Sequence, residues 1–307
     1  MLKAPKGDYS MQIDLFGKKR MKVNLHTHTQ NSDGALSLED ALDFYRDRGF
    51  DAVAITDHWV AQLGGEHRGM TVLAGAEYNT TFRDSLKGVF HIVGVGMTQE
   101  PQGIEPDDEP QVIVDAIHRV GGIAILAHTA WSLNTPDQIL PVEGFDATEI
   151  YNSVSGVHFS RRADSSLIID MLGARGRFYP LIAADDAHYY DNDAAVSWIM
   201  VEADDNSSES LMQAIRDGKY YATQGPEVHF FKEGDDFVVR CSPCSEIRYF
   251  SNSVFSRRIF EGEGLTEARY IPTYDERYLR VEVVDSEGRS AWSRILVVDE
   301  NAKRVEK

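Results

Sequence analysis

Eight short apolar runs, most of them separated by enough chain for a helix, constrain the fold more than any other feature. They are Val23–Leu25, Ala52–Thr56, Val72–Ala76, Phe90–Val95, Ile123–Ala127, Ala147–Ile150, Leu181–Ala184 and Trp198–Val201. Each is too short for a helix and largely apolar, as expected of strands covered on both faces. Helical spacing fills several gaps. Ser37 and Asp40 form a capping pattern, Leu38, Ala41, Leu42 and Tyr45 follow at helical intervals, and Gly49 ends the run. Pro110 opens the next helix, with Ile113, Ala116, Ile117 and Val120 as its stripe and Gly121–Gly122 as its stop. A third helix is predicted from Ser160 to Leu172 and a fourth from Ser208 to Asp217. Seven or eight strands alternating with helices predict an α/β fold, a closed or nearly closed β/α barrel whose chemistry sits on the loops after the strands.

Beyond Gly225–Pro226 the helical spacing stops. Glu227–Arg240, Glu246–Phe250, Tyr278–Val284 and Ser293–Val298 alternate in the manner of strands. On this reading residues 1–225 are the barrel and 226–307 a small all-β, sandwich-like domain. Its expected role is structural, partner-binding or a dimerisation surface. Lys and Arg number 31 against 49 Asp and Glu, a formal charge of −18. Such a surface repels phosphate backbones, so broad nucleic-acid or anionic-membrane binding is not expected. A small anionic substrate stays compatible, because bound divalent cations reverse the field inside a pocket. No stretch approaches the roughly 18 to 20 apolar residues of a membrane span. Met1–Ser10 lacks the apolar core of a leader, and the only cysteines are Cys241 and Cys244. A cytoplasmic location is expected, although a leader already removed would leave no trace.

The chemistry gathers at strand ends. His26 and His28 flank Thr27 directly after the first run, so both imidazoles face one side. Asp57-His58 ends the second run, Glu77 follows the third, His91 lies in the fourth, His128 closes the fifth, and Asp186-Ala187-His188 follows the seventh. Any one of these histidines alone reads as an ordinary hydrogen-bonded residue. Together with Asp33 they make too many candidate ligands for one ion, which implies two or three. Imidazole and carboxylate without thiolate suit zinc, manganese or iron. Sites of this type suit hydrolysis. Cys241-Ser-Pro-Cys244 has no second pair and no βαβ context, so two buried residues near a strand bend are expected rather than a redox or zinc site.

These residues resemble the PHP family, the polymerase and histidinol phosphatase family of metal-dependent phosphoesterases. The resemblance rests on N-L-H-T-H-T, S-D-G at 32–34, I-T-D-H at 55–58, G-A-E at 75–77, His91, A-H at 127–128, E-I-Y-N at 149–152 and D-A-H at 186–188. It spans about residues 20 to 225, and S-D-G looks more like the stand-alone branch than the polymerase-associated one. The resemblance implies a distorted (β/α)7 barrel holding up to three metals. His26, His28, Glu77 and Asp186 would hold the first. Glu77, His91 and His128 would hold the second, and Asp33, His58 and His188 the third. Asp57 would orient His58 or cap its loop. Glu77, Asp186, His188 and His58 are the implied catalytic residues. The implied mechanism is attack on phosphorus by a hydroxide bridging two metals. Thr129 stands where many relatives have proline, a change in loop stiffness rather than ligation. Arg83, Lys87, Arg161, Arg162, His158, His67 and Asn152 are the candidates for contacting substrate. The competing readings are a hydrolase of amide, lactone or carboxylic ester, a non-catalytic metal-binding module, and a proofreading domain. The loops 59–70, 80–88, 99–109 and 153–162 would set specificity.

Overall fold

The structure is a computed structural model that describes residues 12–81, 87–254 and 258–298. Its centre is a ring of seven strands: β1 (Lys19–Asn24), β2 (Ala52–Ala54), β3 (Gly75–Asn79), β4 (His91–Val95), β5 (Ile123–Leu126), β6 (Ala147–Asn152) and β7 (Leu181–Ala184). β1 pairs with β2 in parallel, and β3 through β7 form a second sheet. Two bridges just past the strand ends join the sheets: His58 pairs with Glu77, and Thr27 with Ala187. Most of the ring is parallel, but β4 runs antiparallel to both β3 and β5. That reversal brings the start of β4, His91, to the edge where the other strands end.

Side-chain alternation explains why these strands read as continuous apolar runs. In β5, Ile123 and Ile125 join a cluster shared with Val23, Val93, Ala147 and Leu181, whereas Ala124 and Leu126 pack outward on Ile113, Val114 and Ile117 of α2 (Pro110–Arg119). Helix α1 (Leu38–Arg46) covers Val53 and Ile55 in the same way with Leu42 and Tyr45. Ser37 caps it, its hydroxyl accepting from the Asp40 N–H at 3.2 Å.

The helix complement is thinner than seven strand–helix units require. β3 and β4 are joined as an antiparallel pair, and a hairpin of Gly65–His67 with Met70–Leu73 lies between β2 and β3. The predicted strand Val72–Ala76 is two strands, because the chain leaves Met70–Leu73, which pairs with β2, and enters β3 in the other sheet. The predicted helix from Ser160 begins later, as α3 (Ser166–Ala174). Arg161 has φ 63°, and Asp164 bridges back to Tyr151, so this stretch returns along β6 before the helix starts.

The eighth run is β8 (Trp198–Val201), antiparallel to β1 on the edge opposite β2, and its Ile199 and Val201 pack in the same core as Val23, Val93 and Leu181. After α4 (Ser208–Arg216) comes β9 (Tyr220–Thr223), antiparallel to β8. From there the sheet runs without a break into the C-terminal strands. These are β10 (Val228–Glu233), β11 (Asp236–Phe250), β12 (Ile259–Tyr270), β13 (Tyr278–Val284) and β14 (Ser290–Trp292). The predicted strand Glu227–Arg240 is therefore a hairpin, turned at Gly234 with φ 63°. Cys241 and Cys244 are both buried and free where the β11–β12 register shifts, with Sγ atoms 3.6 Å apart. Arg280 of β13 is fully buried and donates to both Asp170 carboxylate oxygens of α3, at 2.8 and 2.6 Å. No helix among the described residues is long and apolar enough to cross a membrane.

Candidate metal centre

Each ring strand delivers its polar residues at the same edge. Past β1 the chain carries His26 and His28, both fully buried. The turn that follows depends on Gly34, whose N–H donates to the Thr29 carbonyl at 2.9 Å. A Cβ there would lie 2.5 Å from the His28 carbonyl carbon and oxygen, so the glycine lets Asp33 fold back toward His28. Asp57 fixes this turn from β2. Its carboxylate accepts from the Thr29 N–H and hydroxyl, both at 2.7 Å, and from the Ser32 hydroxyl at 2.8 Å. Asp57 is expected to orient His58 or cap its loop; its carboxylate instead caps the turn after β1. Gly75 serves a similar purpose on β3, since a Cβ would sit 2.7 Å from the Ile55 carbonyl oxygen and push Glu77 away.

Glu77 is the hub. Its Oε2 lies 3.3 Å from His26 Nε2, 3.1 Å from His28 Nε2 and 3.1 Å from His58 Nδ1. Its Oε1 lies 2.7 Å from His91 Nδ1 and 3.4 Å from His128 Nε2. Asp186, with φ 55°, faces it: Oδ1 is 3.1 Å from His26 Nε2, 3.0 Å from His28 Nε2 and 3.5 Å from His188 Nδ1. On the outer side Asp33 approaches His188 Nε2 at 3.4 Å and His58 Nε2 at 3.8 Å.

The charges follow from this crowding. Burial opposes the His26 imidazolium, but Asp186, Glu77 and Glu149 outweigh it and hold the pKa well above the usual histidine value. His28 and His128 shift upward against the same burial because of Asp186 and Glu77. In His188 the Asp33 and Asp186 carboxylates overcome burial and lift the imidazole to about 9. The facing Asp33, hydrogen-bonded by His188, falls to about 2. Glu77 and Asp186 are held well down despite burial, each with His26 as the strongest stabilising charge. His58 goes the other way, since its burial is the largest effect.

Two observations test whether these donors suit cations. Asp186 Oδ1 and His58 Nδ1 are buried atoms without a hydrogen-bond partner, although nitrogen or oxygen atoms crowd both. Buried polar atoms are normally satisfied, so these two need another kind of partner. The donor atoms also fall into three groups, each within 4.8 Å: His26, His28, Glu77 and Asp186; His58, Glu77 and His91; and His28, Asp33, His58 and His188. Imidazole and carboxylate at that density fit divalent cations. His128 joins the second group by its approach to Glu77, and Ser132 Oγ lies 3.1 Å from its other nitrogen, Nδ1.

Glu149 has no role in the sequence reading, yet it organises the inner side. Fully buried, it contacts His26 Nδ1 at 2.8 Å and accepts from the His128 N–H and the Asn152 amide, both at 2.8 Å. A glutamate inside an apolar strand was its available signal. Asn152, a candidate for contacting substrate, is instead buried, with its amide donating to Glu149 and to Asp186 at 3.1 Å. Asp185 also escaped notice. It accepts from the N–H groups of Ala195, Val196 and Ser197, and burial raises it to about 6.

The remaining candidates separate. His67 pairs with Asp43 at 2.7 Å, and Lys87 with Glu109 at 2.6 Å, both away from the cluster. Arg162 is exposed and lines neither cavity near the cluster, whereas His158 and Arg161 line the second. Arg83 lies outside the described residues. The cluster opens into a cavity of about 230 Å³ walled by Trp131, Phe159 and Tyr189, aromatics that the ligand pattern did not announce.

A family model described as the PHP domain matches residues 24–154. Among solved structures, the chain is similar to a two-domain protein from Bacteroides vulgatus containing a predicted PHP-like metal-dependent phosphoesterase. That likeness covers 94% of this chain and 97% of that one, at 14% identity and a TM-score of 0.53, and shows the fold alone. A looser likeness links it to an amidohydrolase from Chromobacterium violaceum with bound sulfate and no metal, at 18% identity and a TM-score of 0.41, over 56% of this chain and 89% of that one. No curated protein matches the chain.

Proposed function

We propose that this chain, whose residues 24–154 match the PHP domain, is a metal-dependent phosphoesterase built on a (β/α)7-type barrel and acting on a small phosphorylated substrate. One observation carries the reading. Six histidines and three carboxylates converge on a solvent-reaching cavity, and two of their buried atoms have no hydrogen-bond partner. His26, His28, Glu77 and Asp186 would hold one divalent ion. Glu77, His91 and His128, with His58 beside them, would hold a second, and Asp33, His58 and His188 a third. Bound there, zinc, manganese or iron would act as a Lewis acid and lower the pKa of a water molecule.

The chain's own residues prepare this chemistry. Glu149 holds His26 by Nδ1, so that Nε2 faces Glu77 and Asp186. The Asn152 amide holds Asp186 from behind. Asp33, His58 and His188 stand on the open side, where a leaving oxygen would emerge, and Trp131, Phe159 and Tyr189 narrow the access of bulk water. A catalytic site explains this layout better than a purely structural one, which needs only about four ligands.

Metal analysis beside activity on p-nitrophenyl phosphate tests the proposal. We expect two or three divalent ions per chain, phosphate release lost on chelation and in Asp186→Ala, and competitive inhibition by inorganic phosphate. A metal-loaded protein that cleaves an amide or lactone but no phosphate ester would overturn it.

A further inference from the structure

The cavity over the metal-binding cluster encloses about 230 Å³. Pockets for small organic ligands generally run to about 300–1,000 Å³, and cations would use part of this one. A phosphate fits; the rest of a phosphate ester needs more room. A second cavity, of about 580 Å³, adjoins the first, and Phe159 and Tyr189 line both. Their rings meet edge to face, with centroids 6.0 Å apart and planes at 86°. Both remain mostly exposed, at 65% and 55%. Trp131, 42% exposed, faces the first cavity with its ring edge-on to His128 at 5.0 Å. Scattered apolar residues on a surface are ordinary, but three large aromatics around one mouth make a site for flat apolar surface.

The second cavity has its own character. Tyr151, Val157 and Val196 contribute apolar wall, and Arg161 is its positive group, beside Asp191 and an Asp193 whose carboxylate already accepts from the His188 and Tyr189 N–H groups. Arg161 adopts φ 63°, a conformation that costs a non-glycine residue energy. Among the described residues no carboxylate pairs with its guanidinium.

Resting on the phosphoesterase reading, we infer that the second cavity is the leaving-group subsite, and that this leaving group carries a flat aromatic ring. The phosphate lies over the cluster, the ester crosses the lip made by Phe159 and Tyr189, and the ring packs on those two side chains. Arg161 receives a hydrogen-bond acceptor at the far side of the ring. Hydrolysis would place water's oxygen on phosphorus, break the bond from phosphorus to the ester oxygen, and release the aromatic alcohol through this cavity.

Calorimetric binding of two non-hydrolysable phosphonates to the metal-loaded full chain tests the inference apart from turnover. Naphthylmethylphosphonate should bind at least about tenfold tighter than methylphosphonate, since ring stacking and burial add to the shared anion contact. Phe159→Leu, which keeps bulk but loses the ring, and Tyr189→Ala should each reduce that ratio severalfold while methylphosphonate binding persists, which also shows the variants folded. Equal affinities in the unmodified protein, or a ratio that survives both substitutions, would overturn the subsite and leave the phosphoesterase reading standing. If neither phosphonate binds, both fall together.

Discussion

At the scale of single residues, the site depends on side chains that touch no substrate. Glu149 spends one oxygen on His26 and the other on the His128 backbone and Asn152. Glu149→Gln keeps the shape but replaces an acceptor with a donor, so the His26 ring loses its fixed orientation. We expect metal affinity to fall about 10- to 100-fold, measured by competition with a chelator, while the melting temperature changes little. Protons compete for the same atoms. The His188 pKa is raised from 6.5 to about 9, so the stability its pairing contributes is complete below pH 6.5 and lost as pH rises through 9. His26, His28 and His128 shift in the same direction. Thermal melts of metal-free protein should therefore show declining stability across that window, whereas metal affinity should rise across it as the protons leave. A flat profile in both would contradict the assignment.

At the scale of elements, the placement of a residue follows from strand direction and strand partner. His91 opens its strand and His128 follows its own, yet both reach Glu77, because β4 runs against its neighbours. Periodicity finds β4 but carries no sign for its direction, so the ligand at its start was legible and its position was not. α3 ties the ring to the C-terminal strands. Asp170 neutralises the fully buried Arg280, and Tyr278 lies so close to α3 that a Cβ on Gly173 would come within 2.8 Å of its ring. Asp170→Ala leaves a buried guanidinium without its counter-charge, a loss of about 3–5 kcal/mol. Urea denaturation should register it as a lowered midpoint at unchanged slope, and adding Arg280→Met should recover much of it.

At the scale of the whole molecule, the change of texture at Gly225–Pro226 does not interrupt the sheet. Ala222 pairs with Trp292, and Trp292 packs in the same cluster as Val23, Ile125 and Leu181 of the ring. Shared hydrogen bonds and a shared core couple the two parts, so tryptophan fluorescence and far-ultraviolet dichroism should report one coincident unfolding transition. Trp292→Ala should lower stability by about 3–5 kcal/mol through the cavity it leaves. Two separated transitions would mean that the strands beyond β9 fold independently.

The sequence by itself determined which residues are polar at the ends of apolar strands. Burying both faces of a strand drives most charge toward its end, so His26, His28, His58, His128, Asp186 and His188 announced themselves by position, whereas Glu149 sits inside its strand. Only the tertiary structure decided how they combine. Glu77 gathers five imidazoles because two sheets meet at the His58–Glu77 bridge. Glu149 and Asn152 turn inward rather than toward substrate, because besides each other they meet His26, His128 and Asp186 from segments remote in the chain. The wall of Trp131, Phe159 and Tyr189 is likewise assembled from three separate loops. Local pattern records what a residue can do, whereas distance between remote segments is set by how the whole chain closes.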